Sequence, residues 1–208
     1  MPRPKKTFLC GCLLGFGLGV VFLVLSTVTV VFGFKDLFIR HMATRLRVPP
    51  ITTGLKADYD WRVSLLGGGT LDMAQTRGKT VFLNFWGINC PMCLAELPSI
   101  NRLYEQVEGA GVVFICVVVS KDKSDGKNGI DSGELRFILD EYDVRFPVYL
   151  MAGPYPSFYD GHPTPVTFII APNGDIAFKH EGGARWEDES TVAFLKSLSE
   201  SSAFPATS

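Results

Sequence analysis

The stretch GKTVFLNFWGINCPMCLAELP, residues 78–98, constrains the fold more than any other part of the chain. Its first half is a continuous apolar run, which is typical of a strand buried on both faces of a sheet. Cys90 and Cys93 follow, and the apolar residues after them recur at helical spacing. The sequence therefore predicts a buried strand, a turn that carries two cysteines, and a helix.

Cys90 lies where this strand ends and the helix begins. Pro91 suits the first helical position, because its missing N–H costs no hydrogen bond there. Cys93 is then one turn further on, which places the two Cα atoms about 5 to 5.5 Å apart, within the range that a disulfide requires. The unpaired N–H groups of the helix N-terminus favour a thiolate at Cys90. The pair can therefore open and close without a large backbone movement.

Other roles for the cysteine pair remain open on the residues alone. A structural zinc site usually needs four ligands, and no second closely spaced cysteine pair follows. Copper(I) accepts two thiolates, with Met92 or His162 as a further ligand. A purely structural disulfide would contribute little, because its loop is so short. Cys116 lies within an apolar run and is expected to be a buried, inert thiol.

The remainder of the chain from about Leu55 consists of short apolar runs separated by turns. Further strands are predicted at WRVSL and TLDM, which form a hairpin, at GVVFICVVVS and FPVYL, and at VTFII and IAFKHEG, which form a second hairpin. Further helices are predicted at ELRFILDEYDV and WEDESTVAFLKSLSE. The alternation predicts an α/β fold with a mixed central sheet covered by helices on both faces.

Two motifs together, FLNFWGINCPMCLAELP and the downstream TPVTFII, resemble the thioredoxin superfamily. The chain is most similar to its membrane-anchored TlpA/ResA/CcmG (DsbE) branch, over roughly Asp58 to Glu200. The resemblance implies a thioredoxin-like fold in which Cys90 attacks a partner and Cys93 resolves the mixed disulfide. It implies no cofactor, since the Cys90–Cys93 disulfide is itself the redox group.

The resemblance also assigns residues around the cysteines. Glu96 shares a helix face with Cys93, and members of this branch have a glutamate there, which implies that Glu96 takes the proton of Cys93. Pro165 matches the cis-proline that packs against the cysteine pair. The resemblance implies that Thr164 and Pro165 contact a bound protein, and we expect Met92 and Trp86 to contact it as well.

No charged residue lies between Lys6 and Lys35. A helix from Phe8 to Phe34 would be roughly 40 Å long, enough to cross a hydrocarbon core of about 30 Å. A cleaved signal peptide would have a shorter apolar region and an A-x-A-like site, which STVTVVFGF lacks. The predicted organisation is a short tail and transmembrane anchor (1–34), a juxtamembrane linker (35–54), a thioredoxin-like domain (55–200) and a flexible tail (201–208).

The charge balance excludes one class of partner. Twenty basic and twenty-one acidic side chains give a net charge near zero, so no electrostatic attraction to nucleic acid is expected.

Basic residues on both sides of the span leave its orientation undecided. The resemblance implies that the domain lies on the extracytoplasmic side of a bacterial inner membrane, with protein disulfides as substrates and a membrane-embedded thiol reductant as a partner. We therefore predict an oxidoreductase that reduces proteins such as apocytochrome c or copper-site proteins; a thiol oxidant or a copper(I) chaperone is the alternative.

Overall fold

The computed structural model describes residues 26–27, 54–119, 130–159 and 162–203. Apart from Ser26 and Thr27, the predicted membrane span lies outside these residues, and so does nearly all of the predicted linker. None of the helices within the described ranges has the length and apolar character needed to cross a bilayer. The membrane anchor and the predicted domain boundaries therefore stay predictions.

Seven strands form one mixed sheet in the order β2-β1-β5-β4-β3-β6-β7. The strands are β1 (Arg62–Leu65), β2 (Thr70–Asp72), β3 (Thr80–Trp86), β4 (Val112–Val118), β5 (Val148–Met151), β6 (Val166–Ile170) and β7 (Ile176–Glu181). The neighbours β3, β4 and β5 are parallel, and every other neighbouring pair is antiparallel. The predicted mixed sheet and both predicted hairpins, β1–β2 and β6–β7, are confirmed.

Strand β3 lies inside the sheet, between β4 and β6, and all of its residues are buried. Its side chains alternate between the two faces, so that Phe82 and Trp86 join one core cluster while Leu83 and Phe85 join the other. Because β3 is an inner strand, the residues after Trp86 lie at the C-terminal end of β3, near the middle of the sheet. The segment before the antiparallel strand β6 and the segment after β7 lie at the same end of the sheet and can reach these residues.

Three α-helices, α1 (Pro91–Gln106), α2 (Ser132–Glu141) and α3 (Glu189–Ala203), pack on the same face of the sheet. Within the described ranges no α-helix covers the other face, so the prediction of helices on both faces is wrong for α-helices. The connections β3-α1-β4 and β4-α2-β5 step in the same direction along the sheet. Because such crossovers between parallel strands are right-handed, α1 and α2 lie on one side.

The opposite face is covered by aromatic side chains and irregular segments. The ring of Phe85 lies 6.0 Å from that of Trp61 and 4.0 Å from that of Tyr159, measured between centroids. Within the described ranges, the only helical element on this face is a short 3-10 helix, Met73–Thr76, which buries Met73 in the same cluster. Aromatic rings therefore cover the apolar side chains of this face, as the α-helices do on the other face.

Helix α3 begins at Glu189 rather than at the predicted Trp186. Trp186 is instead completely buried, and its backbone N–H donates a hydrogen bond to Ser99 Oγ on α1. This tertiary contact holds the preceding loop away from a helical path. At its other end α3 continues to Ala203, into the segment that was predicted to be a flexible tail.

Candidate active site

Cys90 and Cys93 form a disulfide at the start of α1. A turn after β3, closed by a 3.2 Å hydrogen bond from Cys90 N–H to the Gly87 carbonyl, leads the chain to this point. Cys90 is the N-cap residue, and its Sγ accepts a hydrogen bond from Cys93 N–H at 3.2 Å, while Pro91 takes the first helical position. The Cα atoms are 5.2 Å apart, which confirms the predicted spacing.

The two sulfurs differ in their access to solvent. Cys93 is completely buried, whereas Cys90 is half-buried. A sulfur atom of another protein can therefore approach Cys90 but not Cys93 in this conformation. The asymmetry agrees with the roles that the sequence resemblance implied for the two residues.

The loop before β6 faces the exposed cysteine. The peptide bond between Thr164 and Pro165 is cis, as predicted, and the Thr164 carbonyl oxygen lies 3.6 Å from Cys90 Sγ. The Pro165 carbonyl accepts a hydrogen bond from Gly182 N–H at 2.8 Å, which ties this loop to the residue after β7. Main-chain groups beside Cys90 are thereby held in a fixed position, where an extended chain could lie against them.

Glu96 lies one turn after Cys93 and is only 1% exposed. Its Oε1 accepts a hydrogen bond from Asn84 Nδ2 at 3.0 Å. Its Oε2 accepts two more, from the Trp186 indole N–H at 3.0 Å and from Ala184 N–H at 3.2 Å. The carboxylate is thus buried, with three donors directed at it.

These surroundings set the protonation of Glu96. Burial raises the pKa of Glu96 to about 7, although the hydrogen bonds from Trp186, Asn84 and Ala184 favour the ionised form. Near neutral pH the carboxyl is therefore about half protonated, which is the condition under which a group both takes up and releases protons.

Asn84 connects the carboxylate to the sheet. Its Nδ2 also donates to Thr167 Oγ1 on β6 at 2.9 Å, whereas its Oδ1 is buried without a partner among the described residues. Directly across the β3–β4 register lies Cys116, which is completely buried as predicted. Burial raises the pKa of the Cys116 thiol well above its usual range, and the neighbouring Glu96 adds to this shift. Cys116 is therefore a neutral thiol at physiological pH.

Trp186 and Ala184 are absent from the residues that the sequence indicated. They belong to the loop between β7 and α3, about 90 residues away from Glu96 along the chain. The only local signal is the Gly182-Gly183 pair, where a Cβ on Gly183 would lie 3.2 Å from the Met92 carbonyl. The glycines allow the loop to pass this close to α1, but the pattern itself does not say what the loop contacts.

Two of the predicted substrate contacts, Trp86 and Met92, differ in how accessible they are. Trp86 is completely buried, and its indole N–H has no hydrogen-bond partner within the described part of the chain. It packs in the core beneath α1, which argues against direct contact with a bound protein. Met92 is half-buried and lies over the glycine loop, since a Cβ on Gly182 would come within 3.3 Å of its Cε.

Met92 and His162 were considered as a further ligand for copper(I), and the copper(I) alternative stays a prediction. His162 is engaged by charged neighbours: its Nδ1 lies 2.9 Å from Glu181 Oε1, and Lys179 Nζ lies 2.8 Å from the same oxygen. Over the described ranges, no group of three or more His, Cys, Asp or Glu side chains is placed to hold a metal ion.

Known proteins with similar sequences include thiol-disulfide oxidoreductases, which agrees with a disulfide in the candidate active site. The family model described as Redoxin matches residues 52–195. The chain is 34% identical over 119 residues to the thiol-disulfide oxidoreductase ResA of Halalkalibacterium halodurans, which covers 57% of this chain and 62% of that protein. It is also 34% identical over 110 residues to ResA of Bacillus subtilis, covering 52% of this chain and 56% of the relative. The matched region thus spans less than two thirds of either relative.

Solved structures show the same fold. A secreted disulfide oxidoreductase of Mycobacterium tuberculosis, described as homologous to DsbE of E. coli, superposes with a TM-score of 0.52 at 22% identity, covering 67% of this chain and 100% of that one. A thiol:disulfide interchange protein of the thioredoxin family from Chlorobium tepidum gives a TM-score of 0.53 at 18% identity, covering 75% and 99%. At these identities the likeness concerns the fold alone. The chain belongs to the Redoxin family, as a TlpA/ResA/CcmG-like member of the thioredoxin superfamily.

Proposed function

We propose that this protein is a thiol–disulfide oxidoreductase that reduces disulfide bonds in other proteins through Cys90 and Cys93. The observation that carries this proposal is the asymmetric disulfide at the N-terminus of α1, with a half-exposed Cys90 and a completely buried Cys93. The names of the ResA relatives support the same activity.

The reaction begins with the reduced pair. The Cys90 thiolate attacks one sulfur of the partner's disulfide, so that a mixed disulfide forms and the partner's other sulfur leaves as a thiolate. Cys93 then loses its proton and attacks Cys90 Sγ, which forms the Cys90–Cys93 disulfide and releases the second partner thiolate. Two electrons pass to the partner, and the protein ends in the disulfide state that the structure shows.

The helix N-terminus favours Cys90 as the sulfur that attacks and later leaves. The Cys93 N–H already points at Cys90 Sγ in the disulfide form, and the same N–H would stabilise negative charge on this sulfur after reduction. Lowering the pKa of Cys90 increases the thiolate fraction and makes the sulfur a better leaving group, at a modest cost in intrinsic nucleophilicity.

Glu96 is the proposed acceptor for the Cys93 proton. It lies one turn further along α1, it is shielded from bulk water, and its pKa of about 7 matches a neutral working pH. The proton would pass directly or through one water molecule. Three donors hold the carboxylate within the core, so that a base lies on the helix face of Cys93 when the mixed disulfide must be resolved.

The cellular setting belongs to the same proposal. The predicted span over Phe8 to Phe34 would tether the protein to a bacterial inner membrane, with residues 35–208 on the extracytoplasmic side, where protein disulfides form. The partners would be proteins with a thiol or disulfide, such as apocytochrome c or copper-site proteins during maturation. A membrane-embedded dithiol carrier would reduce the Cys90–Cys93 disulfide again.

The activity is tested by reduction of a model protein disulfide. The unaltered protein should catalyse the reaction with dithiothreitol as the source of electrons, and Cys90→Ser should abolish the catalysis. Cys116→Ala is the matched control, because this cysteine is a free, completely buried thiol that forms and breaks no bond in the proposed reaction. Equal rates for Cys90→Ser and the unaltered protein would show that the assigned chemistry is wrong.

The direction of electron flow is tested by a redox titration of the Cys90–Cys93 pair. A reductant should have a potential near the thioredoxin value of about −270 mV. A value near about −120 mV, as in DsbA, would instead assign the protein to thiol oxidation.

A further inference from the structure

The loop after β7, residues 182–187, contacts both the cis-proline loop and helix α1 of the candidate active site. At its start, Gly182 N–H donates to the Pro165 carbonyl of the cis-proline loop. Further along, Ala184 N–H donates to Glu96. At its end, Glu187 accepts hydrogen bonds from Ser99 and Arg102 of α1. The loop is therefore fastened both to the partner-facing side of the site and to the helix that carries the cysteines.

Trp186 is the largest buried side chain of this loop, and it is fixed on several sides. Its ring is completely buried against Phe82, at 5.2 Å between centroids, and against His180, at 5.8 Å. Its backbone N–H is held by Ser99 Oγ. With ring and backbone both fixed, the indole N–H has one direction, and it points at Glu96 Oε2 at 3.0 Å.

We propose that Trp186 is a positioning residue for proton transfer, which holds Oε2 of Glu96 with its indole N–H while Asn84 holds Oε1. This inference rests on the proposed function, in which Glu96 receives the proton of Cys93. Trp186 does not touch the reacting sulfurs; it acts through Glu96 alone. A second tryptophan, Trp86, lies in the same core cluster but directs its N–H to no described group.

A hydrogen bond from an N–H to a carboxylate is stronger than one to a neutral carboxyl, so Trp186 favours the ionised form of Glu96. Loss of one such bond should raise the pKa of Glu96 by about one unit. Trp186 would thereby keep Glu96 able to accept a proton near pH 7, against the effect of burial.

Few other groups near Glu96 change charge in the same pH range. On β4, burial raises the pKa of the Cys116 thiol, and on β7, burial lowers the pKa of His180, so both are neutral at pH 7. In the loop, burial opposes ionisation of Glu187, but hydrogen bonds from Ser99 and Arg102 hold its pKa below the usual value. On α1, Cys93 is in the disulfide and does not titrate in the oxidised protein. In that state, Glu96 is the group expected to titrate near neutral pH.

The test uses the oxidised full-length protein in detergent solution, labelled with 15N at its three tryptophans. The indole N–H resonance of Trp186 should shift with pH with a midpoint of about 7, and the shift should vanish in Glu96→Gln. The resonances of Trp86 and of Trp61, whose indole donates to the Asp58 carbonyl, should stay constant. A Trp186 resonance that does not move between pH 5.5 and 9, or a Trp86 resonance that moves equally, would overturn the inference.

A pair of variants adds a second readout. Trp186→Phe removes an N–H that is bonded to Glu96, and Trp86→Phe removes an N–H without a partner from the same core. With 13C-labelled glutamate, the carboxyl titration of Glu96 should move up by about one pH unit in Trp186→Phe and stay within a few tenths in Trp86→Phe. Equal midpoints in the two variants would contradict the inference. Neither titration requires disulfide exchange, so an unaltered protein without activity would refute the proposed function and leave the role of Trp186 to be decided by these midpoints.

Discussion

The first turns of α1 contribute to two regions that differ in solvent exposure: the surroundings of Cys90 are partly exposed, and those of Glu96 are buried. At the N-cap, Cys90 is half-buried and faces the Thr164 carbonyl at the edge of the sheet. Two turns further on, Glu96 is 1% exposed and is enclosed by donors from β3 and from the loop after β7. One helix therefore presents a sulfur to solvent at its end and a carboxylate to the core along its side.

The difference follows from what each step of disulfide exchange requires. Attack on another protein requires access, so the attacking sulfur must lie at the surface. Proton transfer near neutral pH requires a carboxyl with a raised pKa, and burial is the cause that supplies it. Cys93 lies between the two regions and is linked to both, through the disulfide to Cys90 and through the helix face to Glu96.

The largest effect is expected from separating the two cysteines. Cys93→Ser keeps the exposed sulfur and removes the resolving one, so a mixed disulfide with the model substrate should accumulate while turnover falls by about a thousand-fold or more. Cys90→Ser should lose turnover equally and form no mixed disulfide at Cys93, as judged by non-reducing electrophoresis with Cys10 and Cys12 replaced by Ser in both variants. Trapping at Cys93 in the Cys90→Ser variant would contradict the assigned difference in access.

The next effect concerns the buried carboxyl. The folded state holds a proton on Glu96 with a pKa of about 7, whereas the unfolded chain releases it near the ordinary value of 4.5. Between these values the folded protein binds more protons, so its stability should fall as the pH rises, by about 3 kcal/mol in total, and level off above about pH 7.5.

Denaturant titrations of the oxidised protein at a series of pH values measure this effect. Glu96→Gln should lack the pH-dependent contribution of Glu96 to stability. The free energy of unfolding of the parent should therefore fall relative to that of the variant between pH 4.5 and 7. Glu105→Gln, at the exposed end of the same helix, is the matched control for the substitution. A pH-independent difference for Glu96→Gln would show that the buried carboxyl does not titrate in this range.

A smaller effect, on stability, is expected at Gly182, where the loop after β7 passes from the cis-proline loop to Glu96. Gly182 has φ +97°, and a Cβ there would lie 3.3 Å from Met92 Cε, so Gly182→Ala should lower the free energy of unfolding by about 1 to 2 kcal/mol. Gly67→Ala is the control, because Gly67 has open space around it and an ordinary φ. Thermal denaturation of both variants checks this, and equal stabilities would argue against a constrained crossing at Gly182.

The smallest effect is expected at Met92, which lies beside both regions without a polar role. Met92→Leu keeps an apolar side chain of similar volume over the glycine loop, so the stability should change by less than about 1 kcal/mol and the exchange rate by about two-fold or less. Rates of model disulfide reduction check this expectation. Tight copper(I) binding that disappears in Met92→Ala, together with negligible disulfide exchange, would favour the copper chaperone alternative instead.

Much of the exposed region could be predicted because its signals are local. The apolar run of β3, Pro91 at the helix start and the spacing of Cys90 and Cys93 together indicate a strand, a helix and a disulfide within one short stretch, and the structure has all three. The cis peptide at Pro165 came from the resemblance of TPVTFII to a known family rather than from local chemistry.

The buried region depends on contacts that no local pattern specifies. Glu96 was indicated by its place on the helix, but its donors Trp186 and Ala184 lie about 90 residues later, and Trp186 read as part of a helix that in fact begins at Glu189. Trp86 ends a strand that was predicted to be buried, yet we also expected it to contact a bound protein, and its complete burial argues against that contact. Whether a partner can reach an aromatic residue at the end of a strand depends on which elements cover it.

Periodicity, capping and short-range geometry are properties of neighbouring residues, so the amino-acid pattern was enough to indicate the strands, the helices and the position of the disulfide. Long-range packing was needed to place the three α-helices of the described ranges on one face, and to bring a loop from the far end of the chain around Glu96. Strand order sets the position of α1 and α2, through the handedness of the crossovers, and α3 joins them by burying Leu195 in the same core cluster. Hydrogen bonds from Trp186 and Ala184 fix the loop at Glu96, and burial there raises the pKa of the Glu96 carboxyl.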